Sequence, residues 1–276
     1  MSPGVVFLAT DYGLDDEFVG VLHAVMLKLE PSVRIVDVSH GIAPFDVQGG
    51  AALLARAALH LGEGVSCAVV DPGVGGTRRG VAVEVAAGGP RYLVGPDNGL
   101  LAQAAGVLGG VVRAVTLDPS LFTTPIEAVT FDGRDLFAPA AARLAAGAEL
   151  DHLGDEFDPA NLVQLPGVEV DARVLPDGRT AVTTVVTWVD RFGNVQLSLR
   201  GTVLDGLSTV GVAVNGDDAL VQVVATFSDL AIGNAGLLRD ANGAAALVVA
   251  QGSAAERFSL AAGDKVDLVG SFGPIA

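Results

Sequence analysis

The sequence is poor in cysteine, aromatic rings and positive charge. Its single cysteine, Cys67, excludes an internal disulfide, and its place inside an apolar run marks it as a small core residue. Only 16 lysines and arginines stand against 32 acids, a formal net charge of −16. A nucleic-acid partner needs the opposite balance, because phosphates are neutralised by Lys and Arg in excess. The acidity suits a neutral or cationic small ligand. No apolar run approaches the ~20 residues that span a bilayer, so no membrane partner is expected. The first run, Val5 to Ala9, meets Asp11 at once and lacks the basic start and long apolar core of a signal peptide. It is expected to be a first strand, in a cytoplasmic protein. No cysteine pair accompanies His23, His40, His60 and His152, which lack the close spacing of zinc ligands. Neither a metal nor a cofactor is expected.

What is present is an alternation of strand-like and helix-like segments over the first half. Val5–Ala9 and Arg34–Val38 read as strands, and Glu17–Leu29 and Asp46–Leu61 as helices, the first followed by Pro31. A buried strand, Cys67 to Val70, leads to Asp71. Val81–Val85 and Tyr92–Val94 bracket the turn Ala87-Gly88-Gly89-Pro90 as a hairpin, and Asp135–Ala146 reads as a further helix. Such alternation predicts an α/β domain with a largely parallel sheet. Glu156 to Gly167, polar and broken by prolines, reads as a linker. Beyond it, short β-branched runs (Val182–Val189, Thr209–Val214, Ala219–Ala225, Ala244–Ala250, Lys265–Val269) are separated by the turn signals Asp177-Gly178, Asn215-Gly216 and Asn242-Gly243. They predict a smaller β-rich domain, with residues 1–160 and 168–276 as the two domains.

Four segments carry candidate chemistry. Val69-Val70-Asp71-Pro72-Gly73-Val74-Gly75-Gly76-Thr77-Arg78-Arg79 delivers an acid from a strand end into a glycine-rich loop that closes on two arginines. A carboxylate held there beside an arginine positions and polarises a small reactant; the same residues also read as a surface ion pair. Thr10-Asp11-Tyr12-Gly13-Leu14-Asp15-Asp16 clusters acids between a strand and a helix, suited to ribose hydroxyls, an amino group or a cation. One of Asp15 and Asp16 is expected to cap that helix. A calcium-dependent nucleoside hydrolase also opens this way, but with another Asp where this chain has Ala9, which removes a hard-oxygen ligand. Thr130-Phe131-Asp132-Gly133-Arg134-Asp135 leads into a helix that Asp135 is placed to cap. Trp188-Val189-Asp190-Arg191-Phe192-Gly193-Asn194 combines an acid, a ring and an amide, as a purine site does; a plain strand-turn has a similar composition. His40, in Val38–Phe45, reads as a structural histidine.

Taken in order, Thr10–Gly20, Ile35–Phe45, Val69–Arg79, Gly95-Pro96-Asp97-Asn98-Gly99, Thr130–Pro139, Asp190–Asn194 and Gly252–Ala255 resemble the S-adenosylmethionine (SAM) hydroxide adenosyltransferase family. These SAM hydrolases are relatives of the fluorinases and chlorinases. The resemblance implies an N-terminal α/β domain plus a C-terminal β-barrel-like domain, and a homotrimer holding SAM between one subunit's first domain and a neighbour's second. By similarity Asp11 holds the ribose diol and Asp16 and Asp190 the methionine end. Phe192 and Asn194 frame the adenine, with Ala254 and with Ser253 at a usual Asn. Phe45 and Phe131 join the substrate-binding set. The reaction implied is attack of water at C5′ of SAM, giving adenosine and L-methionine without a cofactor. Asp71 and Arg78 are its catalytic pair, and Asp132 stands where the family usually has histidine. Two alternatives remain: a halogenase forming 5′-halo-5′-deoxyadenosine, whose relatives carry Tyr at the Asp71 position, and a weakly active SAM- or adenosine-binding protein.

Overall fold

The computed structural model describes residues 4–122, 130–167, 170–214 and 217–272. The chain divides into two units, Met1–Leu165 and Pro166–Ala276.

In the first unit, β1 (Val5–Thr10), β2 (Arg34–Ser39), β3 (Gly64–Val69), β4 (Gly80–Val85), β5 (Arg91–Pro96), β6 (Val111–Leu117) and β7 (Gly154–Glu156) form one sheet, ordered β2-β1-β3-β5-β4-β6-β7. Strands β2, β1, β3 and β5 pair in parallel, and β4 and β7 run against the others. The sheet is mostly parallel, as alternation predicted, and β4–β5 is the expected hairpin. Helices α1 (Phe18–Leu29), α2 (Val47–Ala58), α3 (Ala102–Val107) and α4 (Ala138–Ala145) cover both faces. Period-2 alternation explains how one strand serves two cores. Cys67 and Val69 pack with Leu22 and Met26 of α1 and Ala141 of α4. Ala68 and Val70 pack with Leu54 of α2 and Ala104 of α3. Full burial of each such large apolar side chain contributes about 1.5–3 kcal/mol. Burial pushes the Cys67 thiol up to about 12, which leaves it an inert core group.

Local chemistry corrects three expectations. Glu17, not Asp15 or Asp16, stands at the start of α1, and it makes no side-chain cap bond. Asp46 does cap α2, accepting from Gly49 N–H at 2.8 Å. Asp135 caps nothing: it lies inside a π-helical turn, Gly133–Phe137, that runs directly into α4. Pro139, in the first turn of α4, has no N–H for the preceding ladder, and the wider turn Ala138 N–H→Gly133 C=O accommodates this. Residues 156–165, most of the segment 156–167 read as a linker, are instead part of the first unit. Leu162 is buried, Val163 N–H donates to Asp97 at 2.8 Å, and Arg79 donates to Asn161 C=O at 2.9 Å. Of the two prolines that suggested a linker, Pro159 opens a short 3-10 turn, Pro159–Asn161, capped by Asp158.

In the second unit, β8 (Asp171–Val174), β9 (Thr180–Val189), β10 (Val195–Arg200), β11 (Thr209–Val214), β12 (Asp217–Val223), β13 (Ala235–Arg239), β14 (Ala244–Val249) and β15 (Lys265–Gly270) follow the order β10-β14-β13-β12-β11-β15-β9-β8. Because β9 also pairs with β10, seven of them close into a barrel and β8 extends β9 outside it. Closure satisfies the strand edges that an open sheet would expose. A short helix, α5 (Ala254–Phe258), packs beside β14. The expected Asn215-Gly216 turn lies outside the described residues.

Gly95 shows how tightly β3 and β5 approach: a Cβ there would lie 2.3 Å from the Ala68 carbonyl oxygen. Since that neighbour is backbone in a sheet centre, Gly95→Ala is expected to destabilise the first unit by about 1–3 kcal/mol. Gly62→Ala, with open space around it, should be near neutral. Urea unfolding of both variants checks the contrast.

Candidate active site

Parallel strands bring their carboxyl ends to one edge of the sheet, where open α/β folds bind ligands. Thr10 at the end of β1 is in register with Val69 at the end of β3, so Asp11 and Asp71 emerge side by side. Asp11 N–H donates to Val69 C=O at 3.3 Å, and Asp11 Oδ2 accepts from Phe45 N–H at 2.8 Å. Phe45 has φ +66° and its ring is exposed, so this bond holds the residue in a conformation that non-glycine residues rarely adopt. Below it, buried Thr10 Oγ1 and His40 Nδ1 are 2.9 Å apart, in keeping with a structural histidine.

The centre of the site is an ion cluster. Arg78 Nε donates to both Asp71 oxygens at 2.9 Å, and its Nη2 bonds to Asp71 Oδ2 and Asp132 Oδ2. The three side chains are only 6% (Asp71), 13% (Arg78) and 21% (Asp132) exposed. The guanidinium also lies over the Phe137 ring, 5.3 Å from its centroid. Burial acts against its charge, but the bonds to Asp71 and Asp132 outweigh that and raise its pKa above the ordinary arginine value. One permanent cation therefore compensates two anions. Arg134 takes no part in this balance, since it pairs with Asp135 at 2.7 Å and lies over the Phe131 ring.

Asp71 and Asp132 face a cleft of about 590 Å³, lined also by Asp11, Tyr12, Phe18, Phe45 and Phe131. Arg78 lines a second cleft, which shares Asp132 with the first. Three rings build one wall of the first cleft: Tyr12–Phe18, Tyr12–Phe131 and Phe18–Phe131 centroids are 5.6, 5.8 and 5.2 Å apart. Burial first, then Cys67 and the carboxylates of Asp11, Asp71 and Asp132, raise the Tyr12 pKa far above the phenol value. Tyr12 therefore keeps its hydroxyl proton. Gly133 permits its approach, since a Cβ there would stand 2.4 Å from the Tyr12 hydroxyl. Sequence reasoning passed over Tyr12 and Phe18; their spacing across a strand-to-helix junction carries no periodic signal. Asp16 is exposed and does not line this cleft, whereas its neighbour Glu17 does.

In the second unit, Asp190 is committed to its own turn. Its carboxylate accepts from Phe192 N–H, Asn194 N–H and Asn194 Nδ2 at 2.8, 2.9 and 2.8 Å. Gly193, at φ +80°, lies against Ser253, and Gly193 C=O accepts from Ala255 N–H at 3.0 Å. The turn and the start of α5 therefore bring Phe192, Asn194, Ser253 and Ala254 together. Ser253 caps α5 through Glu256 N–H, and Ala254 is buried. Phe192 is largely exposed, and with Asn194 it lines two shallow recesses of about 480 and 560 Å³.

Among the described residues, one group has metal-ligand character that linear spacing did not reveal. His23, Asp37 and His40 bring ligand atoms within 4.8 Å of one another. Asp37 Oδ1 is 2.8 Å from His23 Nε2 and 3.1 Å from His40 Nε2, contacts of an ion-pair cluster. Partial burial works against the Asp37 charge, and the two imidazoles outweigh it, holding the carboxyl below its ordinary value.

Residues 6–154 match the SAM hydroxide adenosyltransferase N-terminal domain, and residues 184–267 match the SAM hydroxide adenosyltransferase C-terminal domain. The chain is 44% identical to an (R)-S-adenosyl-L-methionine hydrolase of Salinispora tropica, over 96% of this chain and 97% of that protein. A fluorinase of Actinopolyspora mzabensis is more distant, 28% identical over 76% of this chain and 75% of its own. Among solved structures, an uncharacterized conserved protein from Thermotoga maritima superposes with a TM-score of 0.84 at 31% identity, covering 96% of this chain and 99% of that one. With both domains matched in order along a chain of the corresponding architecture, the protein belongs to the SAM hydroxide adenosyltransferase family.

Proposed function

We propose that this protein hydrolyses S-adenosyl-L-methionine to adenosine and L-methionine by in-line attack of water at C5′. The observation that carries this reading is the buried Asp71–Arg78–Asp132 cluster opening on the cleft beside Asp11. The water oxygen forms a bond to C5′ as the C5′–S bond breaks, and sulfur keeps the electron pair. The thioether leaves neutral, so no general acid is needed. The difficult partner is water, which must lose or share a proton. Arg78 already takes three of the roughly four acceptor positions of Asp71, which leaves one for a water. Asp71 and Asp132 orient that water and accept its proton. Arg78, lining the other cleft, acts by holding both carboxylates. Such help is worth about 10²–10⁴ in rate, and in-line placement adds to it.

The remaining roles accord with the same reaction. Asp11 takes the ribose hydroxyls, and Phe45 and Phe131 flank the nucleoside. Asp16, outside the lining of this cleft, takes the methionine end by likeness to the family. Phe192, Asn194, Ser253 and Ala254 frame adenine from a neighbouring copy in a homotrimer, supported by the exposure of the Phe45 and Phe192 rings. Asp190 keeps one acceptor position for the methionine end while it shapes the Phe192–Asn194 turn. No cofactor or metal takes part, and the enzyme is cytoplasmic. A carboxylate at position 71 would repel a halide, which sets this chain apart from the halogenating relatives.

Chromatography of SAM incubated with the purified protein is expected to show adenosine and methionine, unchanged by a chelator and by added chloride or fluoride. A 5′-halo-5′-deoxyadenosine product, or activity that needs calcium, would overturn the reading.

Asp71→Asn is expected to lower kcat by about 10²–10⁴ with little change in KM, and Asp132→Ala to lower it by roughly tenfold or more. Asp132→His should keep or raise activity. Normal turnover in Asp71→Asn would remove the base from the mechanism.

Asp11→Ala should act mainly on binding. Losing a charge-assisted pair to the ribose raises KM for SAM by about 10- to 100-fold. Steady-state kinetics over a wide SAM range separates this from a turnover defect.

A further inference from the structure

The loop that bears Asp71 and Arg78 is thinly supported from within. Residues 72–77 are exposed, and inside the loop Val74 N–H donates to Asp71 C=O at 3.3 Å and Gly76 N–H to Gly73 C=O at 3.0 Å. Glycines at 73, 75 and 76 add conformational freedom. Yet the two side chains at its ends are buried and aligned with each other.

The alignment comes from the turn after β5. Asn98 Nδ2 donates to Val70 C=O at 2.9 Å, on the residue just before Asp71. The same amide turns its oxygen to Leu100 N–H at 3.2 Å, so its orientation is set by bonds of opposite polarity. One residue earlier, Asp97 N–H donates to Arg79 C=O at 2.9 Å, on the residue just after Arg78. The Asp97 carboxylate, 2% exposed, accepts from Arg79 Nε at 3.0 Å, from Arg79 Nη2, and through its other oxygen from Val163 N–H at 2.8 Å. Phe157 covers the Arg79 guanidinium, 4.1 Å from the ring centroid. Asp97 and Asn98 line neither of the two clefts.

We propose that Asp97, Asn98 and Arg79 are positioning residues that clamp the Asp71–Arg78 loop at both ends and so set the aim of the Asp71 carboxylate. The inference rests on the proposed role of Asp71 toward water. Both loop ends are tied to one rigid strand terminus, so the loop cannot shift without breaking a buried charge pair or an oriented amide bond. A misplacement of about 1 Å at a reacting group can cost about 10²-fold in rate, which is the scale at which such a clamp matters.

Asn98→Asp tests it. The substitution keeps the size and the acceptor for Leu100 N–H but turns an oxygen toward the Val70 carbonyl. Asn98→Ser is the milder second variant: its hydroxyl can serve Leu100 but is too short for Val70. Two readouts are taken on the full chain, namely kcat and KM for SAM, and the rate of trypsin cleavage after Arg78 and Arg79. Trypsin reports the opened population of this loop independently of activity. The expected result for both variants is kcat lowered about tenfold or more, KM within about twofold, and cleavage at Arg78 or Arg79 faster by about tenfold. Unchanged cleavage overturns the clamp, and faster cleavage with unchanged kcat overturns its positioning role. If the wild-type protein releases no adenosine from SAM, the proposed function falls, and the trypsin rates alone decide whether the clamp holds the loop.

Discussion

A single guanidinium shared by two carboxylates is the constraint around which the first unit is arranged. Asp71 and Asp132 come from segments far apart in the chain, and without a cation between them their mutual repulsion would push them apart. Removing three charged groups from water is costly, and the geometry must be good to offset it. Here the forked donor of Arg78 meets Asp71 through two nitrogens and reaches Asp132 with one of them, while Phe137 supports its face. The parallel strands deliver Asp71, the turn after β5 holds the loop that returns Arg78, and the π-helical turn supplies Asp132.

The two units build their contributions by different means. In the first, burial on both faces makes the strands rigid, and the polar residues gather where the strands stop. In the second, a closed barrel holds a turn whose own acid satisfies its backbone. The ring of Phe192 stays exposed while Asp190 takes over the hydrogen bonding of the turn's backbone.

Much of this was legible in the sequence wherever a polar residue comes after an apolar run. Asp11, Asp71 and the capped start of α2 are of that kind. The hairpin of β4 and β5 was legible from its glycine and proline turn. Elements covered on both sides were harder to read. Val195, Gln196 and Leu197 in β10 are all buried, and so are the residues from Ala235 to Leu238 in β13, so no alternation marks them as strands. Contacts made only in three dimensions left no trace at all: the Tyr12–Phe18–Phe131 wall, the His23–Asp37–His40 group, and the docking of residues 156–165 through Phe157 and Leu162. The prolines in and just after that last segment suggested a break in structure, but Asp97 and Arg79 supply the partners that hold it.

The wide turn at Gly133–Phe137 separates what residue 132 presents to the cleft from how the next helix packs. An extra residue within a helical turn breaks the geometric link between the segment before it and the register of the helix after it. Residue 132 therefore projects toward the cleft while Ala138, Ala141 and Leu144 keep their places in the core. A change of side chain at 132 alters the groups lining the cleft without asking the core to repack. Exchange of aspartate for histidine at this one position is, on these grounds, structurally inexpensive.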